Sequence, residues 1–153
     1  MVRSRARSPL LPAAPAHHLD AAGVDILYDV WTATRSQKKS DPALSRRARQ
    51  FLDDGSVRDH AGPELRIVLD LERAERKRRC KDVPELLKKA IEVADDRAVP
   101  LLERFSSSRG CGMLGLGDCW SCLRGKKELD AAKNAAAGRK GPSFTGAPAA
   151  RAQ

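Results

Sequence analysis

The stretch Asp82-Val83-Pro84-Glu85-Leu86-Leu87-Lys88-Lys89-Ala90-Ile91-Glu92-Val93 decides the fold class. Asp is a helix-capping residue type, Pro84 fits a first turn, and Glu85 suits the positive end of the helix dipole. Val83, Leu86, Leu87, Ala90 and Ile91 recur at i, i+3, i+4, i+7 and i+8, which lines one face of an α-helix. The same periodicity extends in both directions, so the chain reads as all-α.

Upstream, Val24, Leu27, Tyr28 and Trp31 share a face of a helix from about Asp20 to Ala33, widened by Ile26 and Val30. Asp41-Pro42 opens a second helix, with Leu44, Ala48, Phe51 and Leu52 on one side and Asp53-Asp54-Gly55 as its stop. A third begins at Ala61-Gly62-Pro63-Glu64. Its apolar arc of Leu65, Ile67, Val68, Leu69, Leu71 and Ala74 is wide enough to predict a central position. Downstream, Ala98, Leu101, Leu102 and Phe105 form another helical face, and an Ala-rich helix ends near Ala137. Residues 83–93 and 98–105 resemble a hairpin of the HEAT or tetratricopeptide kind. No second copy follows at a fixed period, so the expected fold is an irregular bundle of about five to six short helices containing that hairpin.

The expected organisation is a basic, Pro/Ala-rich disordered tail over residues 1–18, a helical domain over 19–138 with a cysteine-rich loop at 109–124, and a second disordered tail over 139–153. Pro9, Pro12 and Pro15 interrupt the apolar part of the N-terminal segment, which reads as a linker and not a secretory signal. No apolar run reaches the ~20 residues of a membrane span. The net charge is +9, but the two tails carry six of the positive charges and no acids. A nearly balanced body with basic tails favours solubility and non-specific contact with anions, and is not by itself a DNA-reading surface. The run Arg76-Lys77-Arg78-Arg79 with Lys81 reads as a solvated helix end before it reads as a phosphate site.

The chemistry concentrates in Cys111-Gly112-Met113-Leu114-Gly115-Leu116-Gly117-Asp118-Cys119-Trp120-Ser121-Cys122, with Cys80 as the fourth cysteine. Four readings compete. Cys80, Cys111, Cys119 and Cys122 could supply four thiolates to a structural zinc, with His60 as a substitute ligand; His17 and His18 lie in the expected tail. They could form two disulfides in an oxidising compartment. They could be small buried side chains. Cys119 and Cys122 could be a redox pair, although no βαβ context surrounds them. Zinc stands slightly ahead of disulfides, and redox comes last. Trp120 reads as a core anchor for the loop. The expected compartment is the cytoplasm, or an exported location if the cysteines are disulfide-bonded in a longer exported protein.

Catalytic patterns are missing. Gly115-Leu116-Gly117 lacks the spacing of a dinucleotide loop, and there is no Walker lysine, H-E-x-x-H or G-x-S-x-G. Asp53-Asp54 and Asp95-Asp96 read as helix-boundary acids, not as acid/base pairs. A non-enzymatic role is expected.

Leu27-Tyr28-Asp29-Val30-Trp31, the stretch from Val57 to Leu71, Gly110-Cys111-Gly112 and Asp118-Cys119-Trp120-Ser121-Cys122-Leu123-Arg124 together resemble a module of large myxobacterial serine/threonine kinases. That module is the helical C-terminal region beyond the kinase domain. The resemblance covers roughly residues 20–145 and rests most on the Asp-Cys-aromatic-x-Cys-Leu-Arg element. It implies a non-catalytic accessory region with a protein partner. This chain has no glycine-rich loop with its strand lysine, no H-R-D-type loop and no D-F-G site, so any kinase activity would belong to a separate domain. The alternative is a small basic nucleic-acid-associated protein.

Overall fold

The computed structural model describes residues 19–36 and 42–144. The expected tail over residues 1–18, with His17 and His18, lies outside them, as do Asp41 and residues 145–153. The described chain is an irregular all-α bundle of α1 (Ala21–Ser36), α2 (Pro42–Asp53), α3 (Gly55–Arg58), α4 (Pro63–Arg76), α5 (Val83–Val93), α6 (Val99–Ser106) and α7 (Lys127–Ala137). None of the described helices is long and apolar enough to cross a membrane.

α4 is central, as its wide apolar arc predicts. Leu65, Ile67, Val68, Leu69, Leu71 and Ala74 are all buried. α1 packs on α2, α4 on α5, and α7 on both α5 and α6. The two helices of the expected hairpin form, but each packs mainly on α7 instead of on the other. Ala94 and Asp95 between them are extended, and a 3-10 turn at Asp96–Ala98 follows. That linker is too open to fold α6 straight back along α5.

Four local outcomes differ from the sequence expectation. Asp82 does not cap α5 through its side chain and instead closes a 3-10 turn over Cys80–Asp82. Asp54 does not simply end α2. Its side chain accepts the Ser56 N–H at 2.9 Å and starts the short α3. On α2, Ala48 and Leu52 are buried, whereas Leu44 and Phe51 are about half exposed. Residues 139–144, placed by sequence in the C-terminal tail, are strapped to the bundle. Arg139 donates to the carbonyls of Ile91 and Ala94 at the end of α5, Gly141 N–H to Asp96, and Phe144 N–H to Asp29. These partners come from distant elements, so no local periodicity announces them.

α4 ends in a Schellman motif. The N–H of Arg79 reaches the Ala74 carbonyl at 2.9 Å and that of Arg78 reaches Glu75 at 3.0 Å. The motif needs a left-handed residue, and Arg78 takes that role at φ 50°. Glycine is the ordinary occupant, and a side chain there costs on the order of 1 kcal/mol.

Candidate functional site

Two side-chain clusters stand out. The first ties α1, α2 and α4. Glu72 is buried at 4% exposure and accepts hydrogen bonds from Tyr28 Oη at 3.2 Å and Arg49 Nη1 at 2.6 Å. Arg49 also bonds Asp53, which Arg76 clasps with two bonds of 2.7 and 2.9 Å. The guanidinium groups of Arg35 and Arg49 lie 4.2 and 4.6 Å from the centre of the Trp31 ring. Burial, then the Glu72 carboxylate, pushes the Tyr28 phenol well above its ordinary range, so it stays a neutral donor. The hydrogen bonds from Arg76 hold Asp53 well below the usual carboxylate range. Every charge in this cluster has a partner, so it reads as a polar fastener.

The second cluster is the cysteine loop. Its four cysteines join as Cys80–Cys122 and Cys111–Cys119, and no free thiol remains. The sequence kept zinc slightly ahead of this arrangement. The thiols that zinc would need are instead consumed pairwise. Among the described residues no group of three or more His, Cys, Asp or Glu is placed to hold a metal. His60 sits apart, its ring nitrogen 2.7 Å from the Ser56 carbonyl oxygen. The redox reading also loses its pair, because Cys119 and Cys122 bond to different partners.

Cys80–Cys122 pins the turn after α4 to the turn at Ser121–Leu123. Cys111–Cys119 closes the neck of the loop between them. Inside that neck Cys111 and Gly117 exchange backbone hydrogen bonds of 2.9 and 2.6 Å, and Gly110 N–H reaches Gly115 O at 2.8 Å. Gly117 is required there, since a Cβ would lie 2.8 Å from the Cys111 carbonyl oxygen. The base is held from below. Trp120 packs edge-on against Phe105 with ring centres 4.5 Å apart, as expected of an anchor. Arg124 bonds Asp118 at 2.6 Å and the carbonyls of Ser106 and Ser107 at 3.0 and 2.5 Å. The Arg124 side chain lowers the Asp118 carboxyl below its ordinary value.

What this frame presents is apolar. Leu114 is 89% exposed and Leu116 70%, more than any other described large hydrophobic residue. Leu114 is also left-handed, at φ 66°. The sequence pointed to the loop through its cysteines but missed these two leucines. An exposed Leu-x-Leu in a glycine-rich loop carries no signal until the loop is known to be fixed.

Beside the loop lies an open groove of about 470 Å³, lined by Arg76, Arg78, Arg104, Arg109, Gly110 and Trp120, with Glu75 as its single acid. No known family model, curated protein or solved structure matches the chain.

Proposed function

We propose that this chain is a non-catalytic helical interaction module that docks onto a protein partner through the stapled loop. One observation carries the reading. Leu114 and Leu116 are held out in water on a backbone fixed by a disulfide and four backbone hydrogen bonds. Holding two leucines in solvent sacrifices roughly 1.5–3 kcal/mol of burial for each, relative to a core position. Fixing the loop beforehand removes the ordering cost that a flexible loop would incur on binding. Both features are expected of a binding anchor, and the exposure of the two leucines contributes nothing to folding.

The two disulfides support work in an oxidising compartment, in place of the cytoplasm that the sequence favoured. The resemblance to accessory regions of myxobacterial kinases supports a regulatory role beside a separate catalytic domain. Nucleic acid is the weaker reading. Much of the basic charge is paired with acids, and Trp31 and Trp120 are too buried to stack on bases.

The test places a photo-crosslinking residue at position 114, and separately at exposed Lys88 on α5, in the full chain within the cells that make it. A discrete crosslinked partner at 114, missing at 88 and lost when Leu116→Ser is added, is expected. No crosslink at 114, or equal crosslinking at both positions, overturns the proposal. Leu116→Ser itself should leave the melting temperature unchanged, because the side chain buries little.

A further inference from the structure

The groove beside the loop identifies the chemistry of the partner. Its walls carry four arginines and one carboxylate. Arg104 is neutralised by Glu75 through two hydrogen bonds, and Arg76 by Asp53. Arg78 and Arg109 make no ion pair or hydrogen bond through their side chains with any described residue. Both are exposed and open on the same groove.

Arg78 is the more telling of the two. It fills the left-handed position of a Schellman motif, where glycine fits without strain. The backbone geometry therefore gives no reason for an arginine. The side chain sits at this position against a local preference, makes no side-chain hydrogen bond or ion pair with a described residue, and lines a groove. Unfavourable backbone kept at one position is a pointer to function when no packing explains it.

The groove is also joined to the apolar loop. Gly110 lines it and donates its N–H to Gly115, the residue between Leu114 and Leu116. A partner seated on the two leucines thus meets two unpaired guanidinium groups. We infer that the groove takes an acidic segment of a protein partner, with carboxylates on Arg78 and Arg109 while Leu114 and Leu116 enter an apolar socket. This rests on the interaction-module reading above. A nucleic acid would satisfy the arginines but offers no apolar socket for the leucines. Guanidinium–carboxylate pairs can be bidentate, which suits a peptide that must be held in one register.

The experiment uses fluorescein-labelled octaglutamate and the full chain at low salt, read by anisotropy. Octaglutamate should bind saturably. Arg78→Gly should weaken it about fivefold or more, while leaving the melting temperature equal or higher. Lys89→Ser on α5 removes the same charge outside the groove and should change affinity less than about twofold. A fall in melting temperature for Arg78→Gly would make the arginine structural and overturn the assignment. Equal losses in the two variants would reduce the effect to diffuse charge and overturn it as well. Tighter binding of octathymidylate than of octaglutamate would replace the peptide by nucleic acid. Crosslinking at position 114 without octaglutamate binding would remove the acidic partner and keep the module. Arg78-dependent octaglutamate binding without crosslinking at 114 would do the reverse.

Discussion

The α1–α2–α4 corner and the cysteine loop solve the same mechanical problem with different chemistry. Each must hold irregular backbone and polar side chains against a small core. In the corner, Trp31, Tyr28, Arg49, Glu72, Asp53 and Arg76 interlock through hydrogen bonds, ion pairs and ring contacts. In the loop, two covalent bonds do most of the holding, helped by the Asp118–Arg124 clasp. The corner answers to pH and to loss of a single charge, and the loop answers to redox state. The corner buries Tyr28 and Trp31 at its centre, whereas the loop leaves Leu114 and Leu116 exposed. Reversible bonds suffice where surrounding helices already exclude water. A glycine-rich excursion has no such support.

The largest effect should come from the long-range disulfide. Its cysteines are 42 positions apart, and loop-closure entropy assigns its removal a loss of about 4 kcal/mol. The short bond spans 8 positions and should be worth about 2.5 kcal/mol by the same relation. Urea unfolding of Cys80→Ser/Cys122→Ser against Cys111→Ser/Cys119→Ser checks the order. A greater loss for the short pair would show that the loop anchors the bundle, and not the bundle the loop.

Next in size is the corner. Arg49→Met leaves the Glu72 carboxylate buried without its strongest partner and should lower stability by about 3 kcal/mol. Adding Glu72→Gln should recover part of that loss. A loss below ~1 kcal/mol in the single variant would mean that Tyr28 and water suffice, and the comparison with the loop would collapse.

The smallest effect is a pH response. Asp53 has a folded-state pKa depressed by Arg76 and Arg49, so its contribution is fully present above the ordinary carboxylate range. That contribution disappears as pH falls toward the depressed value. Carboxyl-carbon NMR should show Asp53 titrating well below an exposed aspartate, and Arg76→Gln should move it upward. An unshifted Asp53 would leave the ion pair without thermodynamic weight.

Much of the fold was legible because helix signals are local. Val83-Pro84-Glu85 and the stripe through Ile91 match α5, although Asp82 makes no capping bond, and the wide arc from Leu65 to Ala74 matches a central α4. What failed was tertiary. Leu44 and Phe51 share a stripe with Leu52, yet the described residues leave them about half exposed, and a stripe does not say how wide its partner is. Asp54-Gly55 looks like a stop because the capping bond to Ser56 follows a turn that the pattern cannot display. Arg139 and Gly141 look like tail because their acceptors sit on α5 and at Asp96. The candidate site was half legible. Cys80, Cys111, Cys119 and Cys122 were singled out together, but four cysteines allow three pairings and a metal set besides. Only the spatial position of the turn after α4 selects Cys122 as the mate of Cys80.

The two disulfides are nested, since the ring closed by Cys111 and Cys119 lies wholly inside the ring closed by Cys80 and Cys122. A peptide bond cut anywhere from residue 112 to 118 therefore releases no fragment. The molecule gains one water in mass and keeps all its atoms in one covalent piece. The turn that carries Leu114 and Leu116 is in this sense sacrificial. It can meet a protease, lose the continuity of its presenting surface, and leave the bundle beneath intact.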